Sequence, residues 1–351
     1  MLRPHDIVSV LLRWLLGAVF IFSGAVKCVD PVGTAIYVDK YLATYSLSAF
    51  AVVSDVIAVA LIVVEFAVGL LLVLGVWRRG VAFLSSAMLL IFFVVTLLGA
   101  TVLPIGDCGC FGDAIKLTPW QTFIKNLVLL PISIYIWRNS EREQHLTMFD
   151  FAAAAIAIVL PLGVSLYALH TMPLVDFLPY KVGIDLRKEV GRERELIEKS
   201  ARSVLRFRDI TTDAVVEYDA MTTECWSNEN LEFVESATVV EGVEDMEYSD
   251  FVLYDDSGED VTLEVLNTKG RVALLCINDP NAIDTSAKSA IEHLYTLYPA
   301  SAVYVVAASE VEQELPSKHL YVDAMTLRSI IRADVGIVVL RDGVVEYKMN
   351  I

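Results

Sequence analysis

Two cysteines separated by one glycine are the residues of this chain best suited to chemistry. They lie in the stretch Asp107-Cys108-Gly109-Cys110-Phe111-Gly112-Asp113. A disulfide between residues two apart closes a tight ring, and strained bridges have more oxidising potentials than structural ones. Gly109 favours such a bridge, because a residue without Cβ accepts the turn that brings two sulfur atoms together. The spacing therefore predicts a reversible redox pair.

Two other interpretations of the pair stay open at this stage. The thiols could form a static cross-link with other cysteines, or they could bind a metal ion. The loop offers only Asp107 and Asp113 as further ligands and contains no histidine, whereas zinc sites use Cys and His at defined spacings. We therefore predict no metal site.

The other three cysteines differ in their surroundings. Cys28 ends the first apolar run at the same predicted membrane level as the pair, so it is a candidate exchange partner; a small buried thiol is the alternative. Cys225 has acidic neighbours, which raise the pKa of a thiol and slow its attack. Cys276 lies in an apolar run and is expected to pack in a core.

Five apolar runs are long enough to cross a bilayer, which takes about 20 residues. They cover residues 7–28, 51–77, 81–103, 120–137 and 149–169. The hydrophobic share of 56% and the mean hydropathy of +0.57 also indicate a membrane protein, since both values exceed what a soluble domain needs. Between the first two runs, the spacing of apolar residues predicts a helix over 36–47, either interfacial or packed on the bundle as a connector.

Basic residues in short connections indicate the orientation, because such residues stay in the cytoplasm. Here they are Arg3, Arg13, Arg78, Arg79, Arg138 and Arg142. A cytoplasmic N-terminus and five spans place the cysteine loop and everything after His170 outside, where disulfides persist. The predicted location is the inner membrane of a bacterium, with a periplasmic C-terminal domain.

Three charged residues fall within the apolar runs, where charges are costly and need an explanation. Asp55 and Lys125 lie at similar shallow depths, so they could form an ion pair or extend separately to the surface. Glu65 lies near the middle of its run with no basic residue at matching depth. We expect it to be neutral or hydrogen-bonded, as polar glue between helices or in a proton or quinone role.

The second half of the chain carries the acidity. Residues 181–351 hold 17 Lys and Arg against 33 Asp and Glu, which argues against a nucleic-acid partner, because phosphate binding needs a basic face. A charged helical stalk is predicted over 180–210, followed by an acidic stretch without Lys or Arg from 209 to 268. From 272 onwards strands and helices alternate, which predicts a small α/β domain.

Two stretches of the membrane part carry distinctive motifs. One is LGAVFIFSGAVK at 16–27 with DPVG at 30–33; the other is CGCFGD at 108–113 with LTPWQTFIKN at 117–126. Together they resemble the DoxX family and its MauE/DoxX redox-associated branch. The resemblance implies an all-α membrane bundle with a four-helix core plus a fifth transmembrane helix. It also implies a role in thiol–disulfide redox, since the methylamine-utilisation member is thought to help its partner dehydrogenase acquire disulfides.

The C-terminal part resembles the thioredoxin-like module of longer members. Such a module has Cys-x-x-Cys after the strand that ends near Asn278, but this chain has Asp279-Pro280-Asn281-Ala282, and Val335 stands where a proline is expected. We therefore predict a degenerate thioredoxin-like domain without dithiol exchange of its own. The predicted domains are 1–140 (four-helix bundle), 141–180 (fifth helix and linker), 181–250 (acidic connecting segment) and 251–351 (thioredoxin-like).

These observations lead to two functional hypotheses. In the first, Cys108 and Cys110 relay electrons between an envelope thiol protein and a quinone, and the C-terminal domain binds the client. In the second, the protein is a non-enzymatic scaffold in the bilayer whose acidic domain docks an envelope complex. A transporter is not indicated, because the runs show no evident repeat or paired broken helices.

Overall fold

The computed structural model describes residues 4–45, 47, 53–101, 109–140, 147–171, 173, 175–240 and 246–351. Cys108, one half of the predicted redox pair, lies outside them. A helical membrane part is followed by a soluble part that contains sheets and helices, as the sequence predicts.

In the described residues, six helices and one short strand, β1 (Cys110–Asp113), form the membrane part. The helices are α1 (Pro4–Val29), α2 (Pro31–Thr44), α3 (Ser54–Leu74), α4 (Arg78–Thr101), α5 (Pro119–Asn139) and α6 (Met148–His170). Among the described helices, four are long and apolar enough to cross a membrane, namely α1, α3, α4 and α6. α5, the predicted fourth span, has the length but not the apolarity of the others. It nevertheless packs along α4.

α1 and α3 approach closely because both present glycines at their contact. A Cβ atom at Gly17 would lie 2.8 Å from the carbonyl oxygen of Gly69, and one at Gly69 would lie 2.5 Å from the backbone nitrogen of Ile21. Small residues allow helix backbones to approach in a membrane. The close contact brings polar side chains of α1 within reach of Glu65 on α3.

α2 is a connector that packs on the bundle. Asp30 caps it, since Oδ1 accepts a hydrogen bond from the backbone N–H of Gly33 at 3.0 Å, and Pro31 suits the first helical position. Residues 31–36 are buried, and the helix contacts α3 and α6. Of the two sequence-based interpretations of this segment, the structure supports the connector.

The segment predicted as a stalk is part of the soluble fold instead. The helix α7 (Leu186–Ser200) is followed by an antiparallel sheet of order β3-β2-β4, with β2 (Ala201–Asp209), β3 (Val215–Asp219) and β4 (Leu231–Val240). Leu186, Val190 and Tyr248 are buried in the core of the C-terminal domain. The charged outer face of α7 dominates the sequence pattern there, and the predicted limits of the connecting segment, 181 and 250, stay a prediction.

A five-stranded mixed sheet of order β7-β6-β5-β8-β9 organises the C-terminal domain. Its elements are α8 (Thr262–Leu266), β5 (Arg271–Ile277), α9 (Thr285–Leu297), β6 (Val303–Ala307), β7 (Lys318–Tyr321), α10 (Ala324–Ile330), β8 (Val335–Arg341) and β9 (Val344–Asn350). β5, β6 and β7 are parallel, whereas β8 runs antiparallel to β5 and β9. The predicted α/β fold is confirmed. The strand order is compatible with a thioredoxin-like module, which stays a prediction.

Alternate residues of β5 face two separate hydrophobic clusters. Leu274 and Cys276 belong to the cluster that also contains α7, and Leu275 belongs to the cluster under α9. The expectation that Cys276 packs in a core is confirmed.

The C-terminal domain packs on the membrane part through α10. This helix contacts α2, and Met325 packs against an apolar cluster of Val32, Ile36 and Leu178. The two parts therefore share an interface beside the cysteine loop.

Candidate redox site

Cys110 begins β1 in a loop that two glycines turn. Gly109 and Gly112 have φ angles of 62° and 55°, in the left-handed region that glycine adopts without strain. The N–H of Gly112 donates to the carbonyl of Gly109 at 3.1 Å. The left-handed angle at Gly109 is compatible with the turn predicted between the two cysteines. The bond between Cys108 and Cys110 stays a prediction, because Cys108 lies outside the described residues.

Side chains of α1 and α2 hold this loop. A Cβ atom at Gly109 would lie 2.6 Å from the ring of Tyr37, and the Tyr37 hydroxyl donates to Oδ1 of Asp113 at 2.9 Å. Phe111 packs edge-to-face on Phe22 of α1, with ring centroids 5.4 Å apart. The position of Cys110 is therefore fixed on both sides of the strand.

A buried ion pair lies directly behind Cys110. The Lys27 ammonium is 2.8 Å and 2.9 Å from the two carboxylate oxygens of Glu65, and the two side chains are 4% and 1% exposed. The Ser23 hydroxyl lies 2.7 Å from Oε2 of Glu65 and 2.7 Å from the carbonyl oxygen of Cys110. Ser23 therefore links the ion pair to the backbone of the cysteine loop.

This pair corrects the prediction that Glu65 has no basic residue at matching depth. Counting depth along each helix places Lys27 near the end of α1, but its long stem lets the charged group reach deeper into the bundle. The signal in the sequence is that Lys27 is an ionisable residue inside an apolar helix, which makes it a candidate partner for Glu65.

An apolar cavity of about 340 Å³ lies beside Cys110. Its wall is largely aliphatic and aromatic and includes Phe20, Leu61, Leu89, Phe92, Val95 and Leu129. Polar groups reach it at few points, which include Cys110, Lys27, Glu65, Lys125 and Asn126. An apolar pocket with a few convergent polar groups is typical of small-molecule sites.

The structure gives Asp55 and Lys125 separate partners, so the ion pair considered between them is not formed. The Asp55 carboxylate accepts from Arg328 of α10 at 2.7 Å, and Lys125 lies 4.4 Å from the ring centroid of Phe111. The soluble domain provides the cation for Asp55, which spacing within the membrane runs could not reveal.

Cys28 is buried, and its thiol lies 3.5 Å from the carbonyl oxygen of Pro161 on α6. This contact fits the apolar-thiol alternative, and disulfide exchange with the loop stays a prediction. Cys225 is buried in a small aromatic cluster beside Phe207.

A second, more polar cavity of about 490 Å³ lies between the cysteine loop and the C-terminal domain. Asp113, Tyr37 and Lys116 line it from the membrane part, and Asp250 and Ser329 line it from the other side. Burial raises the pKa of Asp113 to about 6, although the hydrogen bond from Tyr37 opposes this shift. Tyr37 borders both cavities.

A buried network of charges joins the two parts near this cavity. Arg332 donates to Asp30 at 2.6 Å and to Asp176 at 3.1 Å, and Lys348 lies 2.9 Å from Asp176. Burial raises the pKa of Asp176, but Arg332 and Lys348 outweigh it and hold that pKa below its usual value. Sequence reasoning missed this network, because its members come from distant segments and none stands in an apolar run.

The fold and site define a multi-pass membrane protein with a soluble α/β domain. Residues 5–138 match the family described as "Methylamine utilisation protein MauE", so the resemblance predicted for the membrane part is confirmed. Protein TlpB from Flavobacterium psychrophilum is 30% identical over 129 residues, which cover 36% of this chain and 35% of that protein. The chain thus spans about a third of that relative's length. No solved structure matches the chain.

Proposed function

We propose that this protein supports thiol–disulfide redox in the cell envelope, with Cys108 and Cys110 relaying electrons between an envelope thiol protein and a quinone. The observation that carries the proposal is the position of Cys110, which lines an apolar cavity within the membrane part. The match to MauE is consistent with this role.

The relay consists of two balanced steps. In the first, a client dithiol reduces the Cys108–Cys110 bridge by thiol–disulfide exchange, so that the client gains an S–S bond and the loop gains two thiols. In the second, the two loop thiols re-form their S–S bond, and their two electrons and two protons pass to the two oxygen atoms of a quinone. The second step restores the loop for another client.

The surroundings of the loop suit both steps. Gly109, the residue that a Cys108–Cys110 bridge would enclose, has a left-handed φ of 62°, which glycine adopts without strain. The contacts to Tyr37 and Ser23 hold the cysteine loop beside the apolar cavity. Tyr37 and Asp113 also border the polar cavity. A lipid-soluble oxidant would use the former, and a water-soluble client would approach from the latter.

The C-terminal domain would bind the client rather than exchange electrons. Its segment Pro280–Ala282 forms a 3-10 turn without cysteines, and Cys276 is fully buried. In the predicted orientation this domain and the loop face the periplasm of a bacterial cell. A periplasmic location would provide the oxidising compartment that a reversible bridge needs.

The test is the redox state of the loop during turnover in membranes. Membranes that hold the full chain are incubated anaerobically with a reduced client dithiol, with or without a short-tailed quinone, and free thiols are then mass-tagged. We expect both loop cysteines to become reduced by the client and oxidised again when the quinone is added. Cys225→Ser is the matched control and should behave as the wild type.

A static scaffold is the second candidate, and the buried network around Arg332 favours it by fixing the acidic domain to the membrane part. A Cys108→Ser/Cys110→Ser variant separates the two candidates. The scaffold keeps the redox phenotype and partner binding unchanged in that variant, whereas the relay loses client oxidation.

A further inference from the structure

The three-stranded sheet β3-β2-β4 has an aromatic pair on its surface. The rings of Trp226 and Phe233 stack with their centroids 5.4 Å apart, and both pack edge-to-face on Phe207 of β2. Phe207 is buried, whereas Trp226 and Phe233 are 60% and 44% exposed. Exposed aromatic side chains beside a buried apolar cluster are typical of the central contacts of protein interfaces. The described residues therefore cover this face of the sheet only in part.

The opposite face of the sheet is charged. Arg206 precedes Phe207 in β2, so its side chain lies on the other face, since side chains alternate along a strand. There Arg206 pairs with Glu235 of β4 at 2.8 Å. Glu232 of β4 lies in register with Arg208 and shares that face. β4 thus presents an aromatic side chain on one face and glutamates on the other.

β4 is the outer strand of this sheet among the described residues, where it pairs with β2 on one side. An edge strand exposes backbone N–H and C=O groups that can pair with a further strand. The sequence of β4, LEFVESATVV, contains no Pro, Lys or Arg, and four of its ten residues are β-branched. Pro and Lys are residues that commonly protect an edge, and β-branched residues favour strands. The edge of β4 is therefore suited to accept a partner strand.

The charges decide the chemistry of that partner. A second copy of this chain would place its own glutamates near Glu232 and Glu235, and like charges on neighbouring strands are destabilising. Residues 201–240 hold three Arg and no Lys against eight Asp and Glu, so anionic lipid would be repelled as well. A strand with basic side chains on one face and apolar side chains on the other complements both faces of β4.

We infer that β4 binds an extended segment of a partner protein in which apolar and basic residues alternate. The backbone of this segment pairs with the edge of β4, and its apolar side chains cover Phe233 and Trp226. Its Lys or Arg side chains pair with Glu232 and Glu235. The described residues of this surface line neither of the two cavities beside the cysteine loop. The inference is therefore independent of the proposed relay.

The experiment uses the full chain in phosphatidylcholine nanodiscs. It is titrated with an amidated peptide in which Lys and Val alternate, of about the length of β4. A peptide of the same composition, with its Lys and Val in two separate blocks, controls for charge alone. We expect the alternating peptide to bind about tenfold more tightly. Hydrogen–deuterium exchange should become slower in β4 but not in β9, an edge strand of the larger sheet.

Variants of the two faces test the contacts separately. Trp226→Ala should weaken binding of the alternating peptide about tenfold, because Trp is the larger member of the exposed aromatic pair. Glu232→Lys should also weaken it and should reduce its dependence on salt. Leu297→Ala and Glu292→Lys are the matched controls, since both residues are exposed on α9, and should bind as the wild type does. Circular dichroism confirms that each variant is folded.

Equal binding of the two peptides would overturn the inference, as would Trp226→Ala and Glu232→Lys variants that bind as their controls do. Slower exchange in β4 without any peptide, increasing with the concentration of the chain, would assign this edge to a second copy and would overturn it too. Each of these results leaves the thiol measurements on the cysteine loop unaffected.

Discussion

Arg332 of the C-terminal domain and Asp30 of the membrane part form a 2.6 Å ion pair across 302 residues of sequence. Both side chains are almost fully buried, at 1% and 5% exposure. Asp30 also caps the N-terminus of α2, the helix that holds the cysteine loop. The same carboxylate therefore binds both this helix and Arg332 of the soluble domain. The interface and the loop are therefore coupled through α2.

Arg332→Met should release the soluble domain, because removing one partner of a buried ion pair leaves a buried charge at a cost of about 3–5 kcal/mol. The readout is a zero-length carbodiimide cross-link between Lys116 and Glu247, an ion pair that bridges the two parts. We expect its yield to fall sharply. Arg341→Met, which removes an exposed pair with Glu346, is the control and should retain the yield. An unchanged cross-link in Arg332→Met would contradict the coupling.

Glu65→Gln should lower the free energy of unfolding by about 3–5 kcal/mol, because Lys27 then lies buried without its counter-ion. The double variant Lys27→Met/Glu65→Leu should recover most of this loss, since it removes both charges. Unfolding in detergent measures the difference. Glu195→Gln, in an exposed pair on α7, should change little. A double variant as unstable as the single one would show that the pair does more than neutralise charge.

Asp113 should give stability a pH dependence. Its folded pKa of about 6 lies above the ordinary value of 3.8, so the folded state holds the proton more tightly. The contribution of Asp113 to the free energy of unfolding is then highest at low pH. It falls as pH rises from about 4 to 6, by at most about 3 kcal/mol. The neighbours facing Asp113 are Tyr37, Asp30, Lys116 and Arg332.

The measurement for Asp113 is the difference in unfolding free energy between the wild type and Asp113→Asn across that pH range. Asn keeps an oxygen that can accept from Tyr37 and removes the titration, so the difference should change with pH below 6 and stay constant above it. A difference independent of pH would show that Asp113 keeps its ordinary pKa.

Gly109→Ala should slow reoxidation of the loop, because the added Cβ meets the ring of Tyr37 and the backbone φ of 62° disfavours alanine. A cost of about 1–2 kcal/mol for a left-handed residue corresponds to roughly a 5- to 30-fold effect on the population of the native loop. Thiol trapping after addition of the oxidant measures the rate. Gly99→Ala, where a Cβ meets nothing within 4 Å, should match the wild type.

The sequence predicts the membrane helices and the α/β domain because hydropathy and alternation are local properties of the chain. The left-handed angle at Gly109 fits the same local reasoning, since glycine adopts positive φ without strain. The ion-pair partner of Glu65 and those of Arg332 could not be predicted in the same way. Both depend on which helices approach each other, and Gly17 and Gly69 set that distance for α1 and α3.

The start of the soluble domain is a second feature that a local sequence pattern does not define. Charged residues on the outer face of α7 suggest a stalk, although Leu186 and Val190 on its inner face complete the core. Burial of a narrow apolar stripe is decided by the domain it packs on, which a single segment does not reveal.

The redox state and potential of Cys108 and Cys110 in native membranes decide whether this loop is a reversible redox pair. Differential thiol labelling with mass spectrometry, across a series of defined thiol–disulfide buffers, gives both values. We expect a bridge between these two cysteines that opens and closes near the redox potential of the envelope. Thiols that never oxidise, or a bridge that no physiological reductant opens, would contradict it.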